Sequence, residues 1–297
     1  MQHAILGVGG VGGLIGACLS RIGENVTLVV RPETLHGHPS KLQLESPLGN
    51  WEGDVAWSDS VPSAEVLWLT VKATQLESAL RSISDPRSVG VIVPLLNGID
   101  HVQFLRARFG ADRVIPGTIA GETERVSMGH IIHRSPFAVL NMSAIGRELL
   151  QPLSEKLRGI GLTGNFIDDE TTLMWSKLVF LGPLALATSA FNKAVGEIVA
   201  DADMWRQLEA CVLEAYAAGT AEGATLDAEK VLKGMKNLPP GMRSSMQKDV
   251  DQGLPPELDA IGGAIVRAAH RHGLKTSVAE ALMSKIELRA KASSRPS

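Results

Sequence analysis

The spacing of hydrophobic residues changes character along the chain. In the first half, short apolar runs alternate with amphipathic stretches. The apolar runs predict strands at 4–6, 25–30, 66–71 and 91–96, and the stretches between them predict helices, among them 75–82 and 100–109. Strands that alternate with helices form βαβ units, and such units build a parallel sheet. The first half is therefore predicted to be an α/β domain.

A second pattern takes over near residue 165. Before it lie further predicted strands at 113–119, 130–133 and 137–142 and a helix at 148–160. After it the chain has helical periodicity almost throughout, at 170–190, 202–222, 227–236, 244–251, 258–271 and 278–291. The tail, 292–297, is small and polar and is expected to fray. Because 297 residues exceed what one core usually holds, we predict a parallel-sheet domain at 1–166 and an all-α domain at 167–297.

A glycine motif joins the first predicted strand to the helix behind it. It spells Gly7-Val8-Gly9-Gly10-Val11-Gly12, and a second strand follows at the distance expected of a dinucleotide-binding unit. Gly7 permits the tight turn, Gly9 lets the backbone approach a pyrophosphate, and Gly12 lets the helix pack closely on the strand. The unpaired N–H groups of the helix N-terminus then face the phosphates. The motif predicts a Rossmann-type domain with a dinucleotide on residues 7 and 9–12; the alternative is an ordinary glycine-rich turn.

The residue that follows the second strand bears on which dinucleotide binds. NAD-binding units usually place a carboxylate there, which hydrogen-bonds the ribose 2′-hydroxyl and repels a 2′-phosphate. This chain has Arg31 instead. A guanidinium offers a planar fork of donors that matches phosphate oxygens, so Arg31 predicts NADP(H). The alternative is a solvated surface arginine.

Two polar residues follow later strands of the predicted sheet. Lys72 comes directly after the strand ending at Val71, and Asn97-Gly98 after the strand ending at Leu96. Ligands bind outside the carboxyl ends of the strands in open α/β sheets, which puts Lys72 toward the adenosine phosphates and Asn97 toward the ribose or nicotinamide. The alternatives are a helix-start lysine and an Asn-Gly turn.

Composition excludes several classes of partner. The net charge of -3 argues against nucleic acid, and the two cysteines show neither metal-ligand spacing nor a disulfide framework, so no metal is expected. The longest apolar run, 178–191, contains Pro183 and falls short of the roughly 20 residues that span a bilayer, which predicts a buried helix and no membrane partner. The chain starts directly on a strand, and we expect a cytoplasmic protein without a signal peptide.

Several segments in fixed order carry a family resemblance. Besides the glycine motif and Arg31 they are Thr70-Val71-Lys72 with Gln75, Leu96-Asn97-Gly98, Met174-Trp175-Ser176-Lys177-Leu178, Ser244-Ser245-Met246-Gln247-Lys248-Asp249 and Glu257-Leu258-Asp259. Together they resemble the ketopantoate reductase (2-dehydropantoate 2-reductase) family, over nearly the whole chain. The resemblance implies NADPH-dependent reduction of the 2-keto group of ketopantoate, a step toward pantothenate and coenzyme A.

The same resemblance assigns roles to residues of the site. It makes Lys177 the general acid and Glu257 a catalytic partner for the substrate hydroxyl. It makes Ser245 a hydrogen-bond donor to the substrate carboxylate. It places Asn97 and Glu257 beside both the cofactor and the substrate. An ammonium suits the role of Lys177, because hydride arriving at carbon leaves an alkoxide that needs a proton. The alternatives are a snorkelling lysine, a helix cap at Ser245 and an ordinary helix-start acid at Glu257.

Two departures from the family pattern affect the substrate. The family usually has asparagines one and two turns after the lysine, where this chain has Leu181 and Ala185. Four-residue spacing puts these positions on the face of Lys177, so we expect a more apolar pocket wall and a lowered lysine pKa unless Glu257 compensates. A kink at Pro183 would turn Thr188, Ser189 or Asn192 toward the cleft. The sequence leaves open a paralogue acting on another keto or imino acid, or a decayed NADP(H)-binding regulatory protein. A homodimer through the helical domain is a further expectation.

Overall fold

The computed structural model describes residues 1–293, so the last four residues of the predicted frayed tail lie outside it. The chain divides into two compact units. The first consists of Met1–Leu96 and His101–Leu173, and the second of Asn97–Asp100 and Met174–Ser297. The boundary therefore lies between Leu173 and Met174, and the short turn Asn97–Asp100 belongs to the second unit. The sequence predicted the boundary after residue 166.

The N-terminal unit is built mainly of strands. Its elements in chain order are β1 (Gln2–Leu6), α1 (Gly10–Arg21), β2 (Asn25–Val29), β3 (Lys41–Glu45), β4 (Trp51–Asp54), β5 (Ala56–Ser58), β6 (Ala64–Leu69), α2 (Leu76–Ala79), β7 (Val89–Pro94), α3 (Asp100–Phe109, whose first residue belongs to the second unit), β8 (Gly117–Ala120), β9 (Thr123–Ser127), β10 (His130–His133), β11 (Ala138–Ser143), α4 (Arg147–Arg158) and β12 (Leu162–Ile167).

The predicted parallel sheet is present, with strand order β5-β2-β1-β6-β7 and every pairing parallel. Numbered among themselves, these strands run 3-2-1-4-5, which is the order of dinucleotide-binding sheets. In the register, Leu6 lies between Val29 and Leu69. The carboxyl ends of three strands thus meet at one edge, and the segments that follow them begin there. Most residues of β1 and β6 are buried, as expected for strands covered on both faces.

A second sheet, which the sequence pattern did not reveal in full, covers α1. Its order is β4-β3-β10-β9, and only β10 was predicted. Two glycines of α1 allow the close approach: a Cβ on Gly10 would lie 2.7 Å from the carbonyl oxygen of Thr123, and one on Gly13 would overlap the side chain of Ile131. A third sheet has the order β12-β11-β8.

The C-terminal unit is helical, as predicted. It contains most of α5 (Glu170–Phe191), followed by α6 (Val195–Ala200), α7 (Ala202–Ala221), α8 (Ala228–Lys236), α9 (Ser245–Asp251), α10 (Ala264–Arg271) and α11 (Ser277–Ser293). Its core is apolar and includes Trp175, Val179 and Leu186 of α5. The fold class predicted from the sequence, an α/β unit followed by an all-α unit, is confirmed.

Helix α5 differs from its prediction in length. Its 22 residues are long and apolar enough to cross a membrane by length and composition, because Pro183 lies inside the helix without ending it. The sequence prediction concerned only the apolar run 178–191, and the helix that contains this run begins eight residues earlier, at Glu170. However, 72% of the 18-residue window is buried inside the protein, as the sequence predicted.

Three element predictions need correction. The helix predicted at 75–82 is one turn of α-helix between 3-10 segments, because its sequence offers only Leu76 and Leu80 for burial. The strand predicted at 113–119 begins only at Gly117, since Ala111–Arg113 forms a 3-10 turn. The helix predicted at 258–271 opens with a π-helical turn, Asp259–Gly263.

Candidate active site

The glycine turn of the N-terminal unit has the geometry that close packing requires. Gly7 has φ +100°, and a Cβ there would lie 2.5 Å from Cγ1 of Val71. A Cβ on Gly12 would overlap the carbonyl oxygen of Gly7, so α1 can lie against the turn only with glycine at this position. The hydroxyl of Thr70 donates to the carbonyl oxygen of Gly7 at 2.7 Å and ties the turn to β6.

Gly9 differs from its neighbours in having open space around it. A Cβ there would meet no atom within 4 Å, although Gly9 is the N-cap of α1 and has no side chain to cap it. The first N–H groups of the helix, from Gly10 and Val11, are therefore left for another acceptor. This open helix N-terminus fits the pyrophosphate of a dinucleotide. Cofactor binding by residues 7 and 9–12 stays a prediction.

Arg31 and Lys72 follow strands of the same parallel sheet. The side chain of Arg31 is 72% exposed, and its Nε lies 3.5 Å from a carboxylate oxygen of Glu33. An exposed guanidinium is available to a phosphate, but it also suits the solvated-arginine alternative. Lys72 precedes a 3-10 turn, Ala73–Gln75, and so occupies a helix-start position within the N-terminal unit.

In the C-terminal unit, Asn97 meets Glu257. The amide Nδ2 of Asn97 donates to Oε2 of Glu257 at 3.0 Å, across 160 residues of sequence. The turn at Asn97 is tight because Gly98 has φ +82°, and a Cβ on Gly98 would overlap the carbonyl oxygen of Ala260 in the π-helical turn. π-helical turns are frequent at functional sites. Two polar residues that the sequence assigned to one site thus form a hydrogen-bonded pair.

An arginine fixes the same turn from the other side. Arg267 of α10 donates to Asp100 at 2.7 Å and to Asp259 at 2.6 Å. Because Asp100 follows Asn97 by three residues and Asp259 follows Glu257 by two, these ion pairs hold both partners of the Asn97–Glu257 pair in register. Glu257 is only 6% exposed, whereas an ordinary helix-start acid is usually exposed to solvent.

Lys177 of α5 is partly buried, and its pKa is shifted. Burial lowers the pKa of Lys177 to about 8, while the Glu257 carboxylate opposes the shift. The sequence predicted both effects. A lysine with a pKa near neutrality can give up a proton far more readily than an ordinary lysine, which suits a general acid.

The start of α9 corrects one sequence interpretation. The cap of this helix is Ser244, whose hydroxyl oxygen accepts the N–H of Gln247 at 3.1 Å, so the cap alternative for Ser245 is wrong. Ser245 is the first helical residue and is exposed. The hydroxyl oxygen of Thr188 on α5 lies 2.7 Å from the Ser244 hydroxyl oxygen and 2.8 Å from the carbonyl oxygen of Leu184, either of which can accept its one proton.

The positions at which the family usually has asparagine are apolar here. Ala185 is 1% exposed, and Leu181 is partly exposed one turn beyond Lys177. Thr188 and Ser189 are fully buried, so neither compensates by turning outward at Pro183. Asn192 ends the helix with φ +55°, and its Oδ1 accepts a hydrogen bond from Arg243 at 3.3 Å.

Neither the cysteines nor possible metal ligands form a second centre within residues 1–293. Burial raises the pKa of the Cys18 thiol to about 12 and that of Cys211 further, so both thiols stay protonated near neutral pH. Across residues 1–293, no group of three or more His, Cys, Asp or Glu side chains is placed to hold a metal ion.

Comparison with known proteins yields two family-model matches. Ketopantoate reductase PanE/ApbA matches residues 3–145, and ketopantoate reductase PanE/ApbA C terminal matches residues 170–290. The chain belongs to the ketopantoate reductase family. A relative named 2-dehydropantoate 2-reductase, from Archaeoglobus fulgidus, is 25% identical over 281 residues and 94% of each chain. The resemblance that the sequence motifs indicated is confirmed, and the protein is an oxidoreductase of this family.

Solved structures share the fold. A PanE/ApbA family ketopantoate reductase from Ralstonia eutropha JMP134 matches with a TM-score of 0.89 at 22% identity, covering 99% of this chain and 100% of the other. A D-mandelate dehydrogenase in a ternary structure with NADH and anilino(oxo)acetate matches with a TM-score of 0.86 at 20% identity, again over 99% and 100%. At these identities the likeness concerns the fold.

Sequence reasoning missed three contributors to these sites. The capping role of Ser244 had a signal, since Ser-x-x-Gln over residues 244–247 is a capping-box pattern. No sequence signal indicated the ion pairs of Arg267. The same is true of Arg125 on β9, whose Nη1 lies 3.2 Å from the carbonyl oxygen of Val8 in the glycine turn. Both join segments that lie far apart in sequence.

Proposed function

We infer that the protein reduces the keto group of a 2-keto acid with NADPH, and that the substrate is 2-dehydropantoate, which becomes pantoate. The observation that carries this inference is the hydrogen-bonded pair of Asn97 and Glu257, together with the pKa of about 8 that burial imposes on Lys177 against the charge of Glu257. Family membership gives the reaction class. The pathway implied is pantothenate and coenzyme A synthesis.

Lys177, Glu257 and Ser245 each have a separate role in the proposed reaction. The hydride for the carbonyl carbon would come from a reduced nicotinamide held by the N-terminal unit. The ammonium of Lys177 donates a hydrogen bond to the carbonyl oxygen, stabilises the negative charge that grows there, and gives up its proton to form the hydroxyl. Glu257 keeps Lys177 protonated and accepts a hydrogen bond from a substrate hydroxyl. The exposed hydroxyl of Ser245 donates to the substrate carboxylate.

The cofactor is assigned to the N-terminal unit. The open helix N-terminus beyond Gly9 takes the pyrophosphate, and Lys72 lies toward the adenosine phosphates. Arg31 takes the 2′-phosphate, since a guanidinium pairs with phosphate oxygens. The test is a comparison of NADPH and NADH affinities in the unmodified protein and in Arg31→Ala. Equal affinities would remove the assignment of NADP(H) while leaving the reaction class intact.

A second candidate substrate class rests on Leu181. An aliphatic side chain one turn from Lys177 favours a keto or imino acid less polar than 2-dehydropantoate, because a hydrophobic wall cannot hydrogen-bond a substrate hydroxyl. The fold is shared with a D-mandelate dehydrogenase whose structure holds anilino(oxo)acetate, a carboxylate that carries an aromatic ring. This candidate keeps the roles of Lys177 and Glu257 and changes only the group that the pocket wall contacts.

One experiment separates these candidates. NADPH oxidation is followed with 2-dehydropantoate and with a panel of aliphatic and aromatic 2-keto acids. Lys177→Ala is expected to lower kcat at least about 100-fold, which is the usual contribution of a general acid. Lys230→Ala, on the exposed side of α8, is the matched control. Turnover of other keto acids alone supports the second candidate. Tight NADPH binding without any turnover supports a regulatory protein instead of an enzyme.

Location and assembly remain predictions. We expect a cytoplasmic enzyme with a small-molecule substrate, a homodimer formed through the helical domain, and no nucleic-acid or membrane partner. The oligomeric state is measured by light scattering at several concentrations.

A further inference from the structure

Arg125 lies on β9 with its side chain directed at the glycine turn. It pairs across the sheet with Ile131 of β10, and cross-strand partners share one face of a sheet. Ile131 is fully buried against Gly13 of α1, so this face is the one that covers α1. The guanidinium Nη1 of Arg125 donates to the carbonyl oxygen of Val8 at 3.2 Å. Val8 is the residue between the first two glycines of the motif.

That single hydrogen bond leaves most of the guanidinium unused. Arginine has five N–H donors in a fixed fork, and one of them contacts Val8. Within residues 1–293, no carboxylate forms an ion pair with Arg125. The neighbouring Arg134, by contrast, donates to Glu124 at 2.7 Å. Arg125 thus brings a full positive charge and free donors to the turn.

The contacts of the segment that follows β2 show where β9, and Arg125 with it, lies. His38 follows the 3-10 segment that begins directly after Arg31, and its ring stacks on Trp57 of β5 at 4.1 Å between centroids. β5 pairs with β2. Burial, and then the charge of Arg125, lowers the pKa of His38. A Cβ on Gly37, in the segment that follows β2, would lie 3.1 Å from Sδ of Met128, the residue directly after β9. Arg125 of β9 is therefore near this segment, where dinucleotide-binding units hold the adenosine ribose.

We propose that Arg125 is a second cation for the 2′-phosphate of NADP(H), placed opposite Arg31 across the adenosine ribose site. The proposal rests on the proposed function in so far as a nicotinamide dinucleotide must bind to the glycine turn. It assigns cofactor discrimination to two arginines from different sheets of the N-terminal unit. His38 lies in the segment that follows Arg31, and burial lowers its pKa, so it contributes no charge near neutral pH.

The test measures affinity, so it does not depend on turnover. Dissociation constants of the full chain are determined for NADPH, NADH, adenosine 2′,5′-bisphosphate and 5′-AMP at one ionic strength. Arg125→Met is expected to weaken NADPH and the 2′,5′-bisphosphate at least about 10-fold, the usual effect of losing a charge-assisted phosphate contact, and to leave NADH and 5′-AMP unchanged. Arg125→Lys is expected to restore part of the loss. Arg134→Met is the matched control.

The possible results point in different directions. An equal loss for NADPH and NADH would overturn the proposal, because a contact with the pyrophosphate or a distorted turn affects both cofactors alike. Unchanged NADPH affinity in Arg125→Met would overturn it too, while the proposed function stands. If the unmodified protein binds neither dinucleotide, the proposed function itself fails. Should Arg125→Met not fold, Arg125→Lys decides through its ratio of NADPH to NADH affinity.

Discussion

At the residue scale, the proposed chemistry depends on the charge balance at Lys177. Burial lowers its pKa to about 8, and the carboxylate of Glu257 opposes that shift. A general acid must be protonated when the alkoxide forms, so the reduction rate is expected to fall as the pH rises through about 8. The neutral variant Glu257→Gln keeps an oxygen to accept the hydrogen bond from Asn97 but removes the opposing charge.

We predict that Glu257→Gln moves the alkaline limb of the kcat profile to lower pH. The sign follows from the loss of the Glu257 charge, which raises the lysine pKa. The measurement is kcat against pH with saturating NADPH and keto acid, with Glu229→Gln on the exposed side of α8 as the control. A limb that stays in place, or moves to higher pH, would contradict the coupling of Lys177 to Glu257.

The choice of substrate also depends on a single residue, Leu181. Leu181→Asn restores an amide one turn from Lys177, where the family usually has one. If 2-dehydropantoate is a poor substrate because this amide is missing, kcat/KM for it is expected to rise by about 10-fold or more, the worth of one well-placed hydrogen bond to a charged or polar group. A matched Leu213→Asn on the exposed side of α7 should leave kcat/KM as it was.

At the element scale, the glycines of the α1 turn fall into two kinds. Gly12 is required by packing, since a Cβ there would overlap backbone, whereas a Cβ on Gly9 would enter open space. Gly12→Ala is therefore expected to destabilise the protein by about 3 kcal/mol, the upper range for overpacking, because backbone cannot move aside. Gly9→Ala is expected to keep its melting temperature within a few degrees and to weaken dinucleotide binding.

Thermal unfolding and cofactor titration of this pair of variants check the assignment. A Gly9→Ala protein that binds NADPH as tightly as the unmodified protein would show that no phosphate approaches the turn at this position. A Gly12→Ala protein of unchanged stability would show that α1 can move away from β1, contrary to the packing observed here.

The elements also show why some predictions succeeded. The βαβ pattern and α3 were predicted because a helix of period 3.6 and a buried strand each leave a local signature. β3 also has a local signature, since Leu42 and Leu44 alternate with exposed polar residues, but a strand of five residues is easily overlooked. β9 has no such signature, because four of its five residues are exposed.

At the scale of the whole molecule, an ion pair links the start of β2 to α4 in the N-terminal unit. The Lys156 ammonium lies 2.7 Å from the Glu24 carboxylate, whose side chain is 6% exposed. Burial raises the pKa of Glu24, but hydrogen bonds from Lys156 and the terminal amino group outweigh it and hold the pKa at about 2. A carboxyl whose folded pKa lies below its unfolded value of 4.5 stabilises the fold above that pH.

We predict that Lys156→Met lowers stability near neutral pH by about 1 kcal/mol, since the exposed lysine is screened by water. The deficit relative to the unmodified protein is expected to shrink as the pH falls from 4.5 toward 2, where Glu24 becomes protonated in both proteins. Melting temperatures across this range test it, with Lys41→Met in an exposed surface pair as the control. A deficit that is independent of pH would rule out the charge interaction as its cause.

The sequence by itself determined the features that depend on neighbours along the chain. They are the alternation of strand and helix, the glycine turn, the helical second half, and the family whose motifs include Lys177 and Glu257. Each follows from a local period or a motif within a few residues. The prediction that Glu257 would oppose the lowered pKa of Lys177 also came from the sequence, through the family resemblance.

Only the tertiary structure decided which distant groups meet. Asn97 and Glu257 lie 160 residues apart in sequence, yet they share a hydrogen bond because a tight turn fits beside a π-helical turn. Arg125 contacts the glycine turn because α1 has glycines where the second sheet crosses it. Such pairings depend on the close packing of whole elements, and no local pattern of hydrophobic and polar residues encodes them.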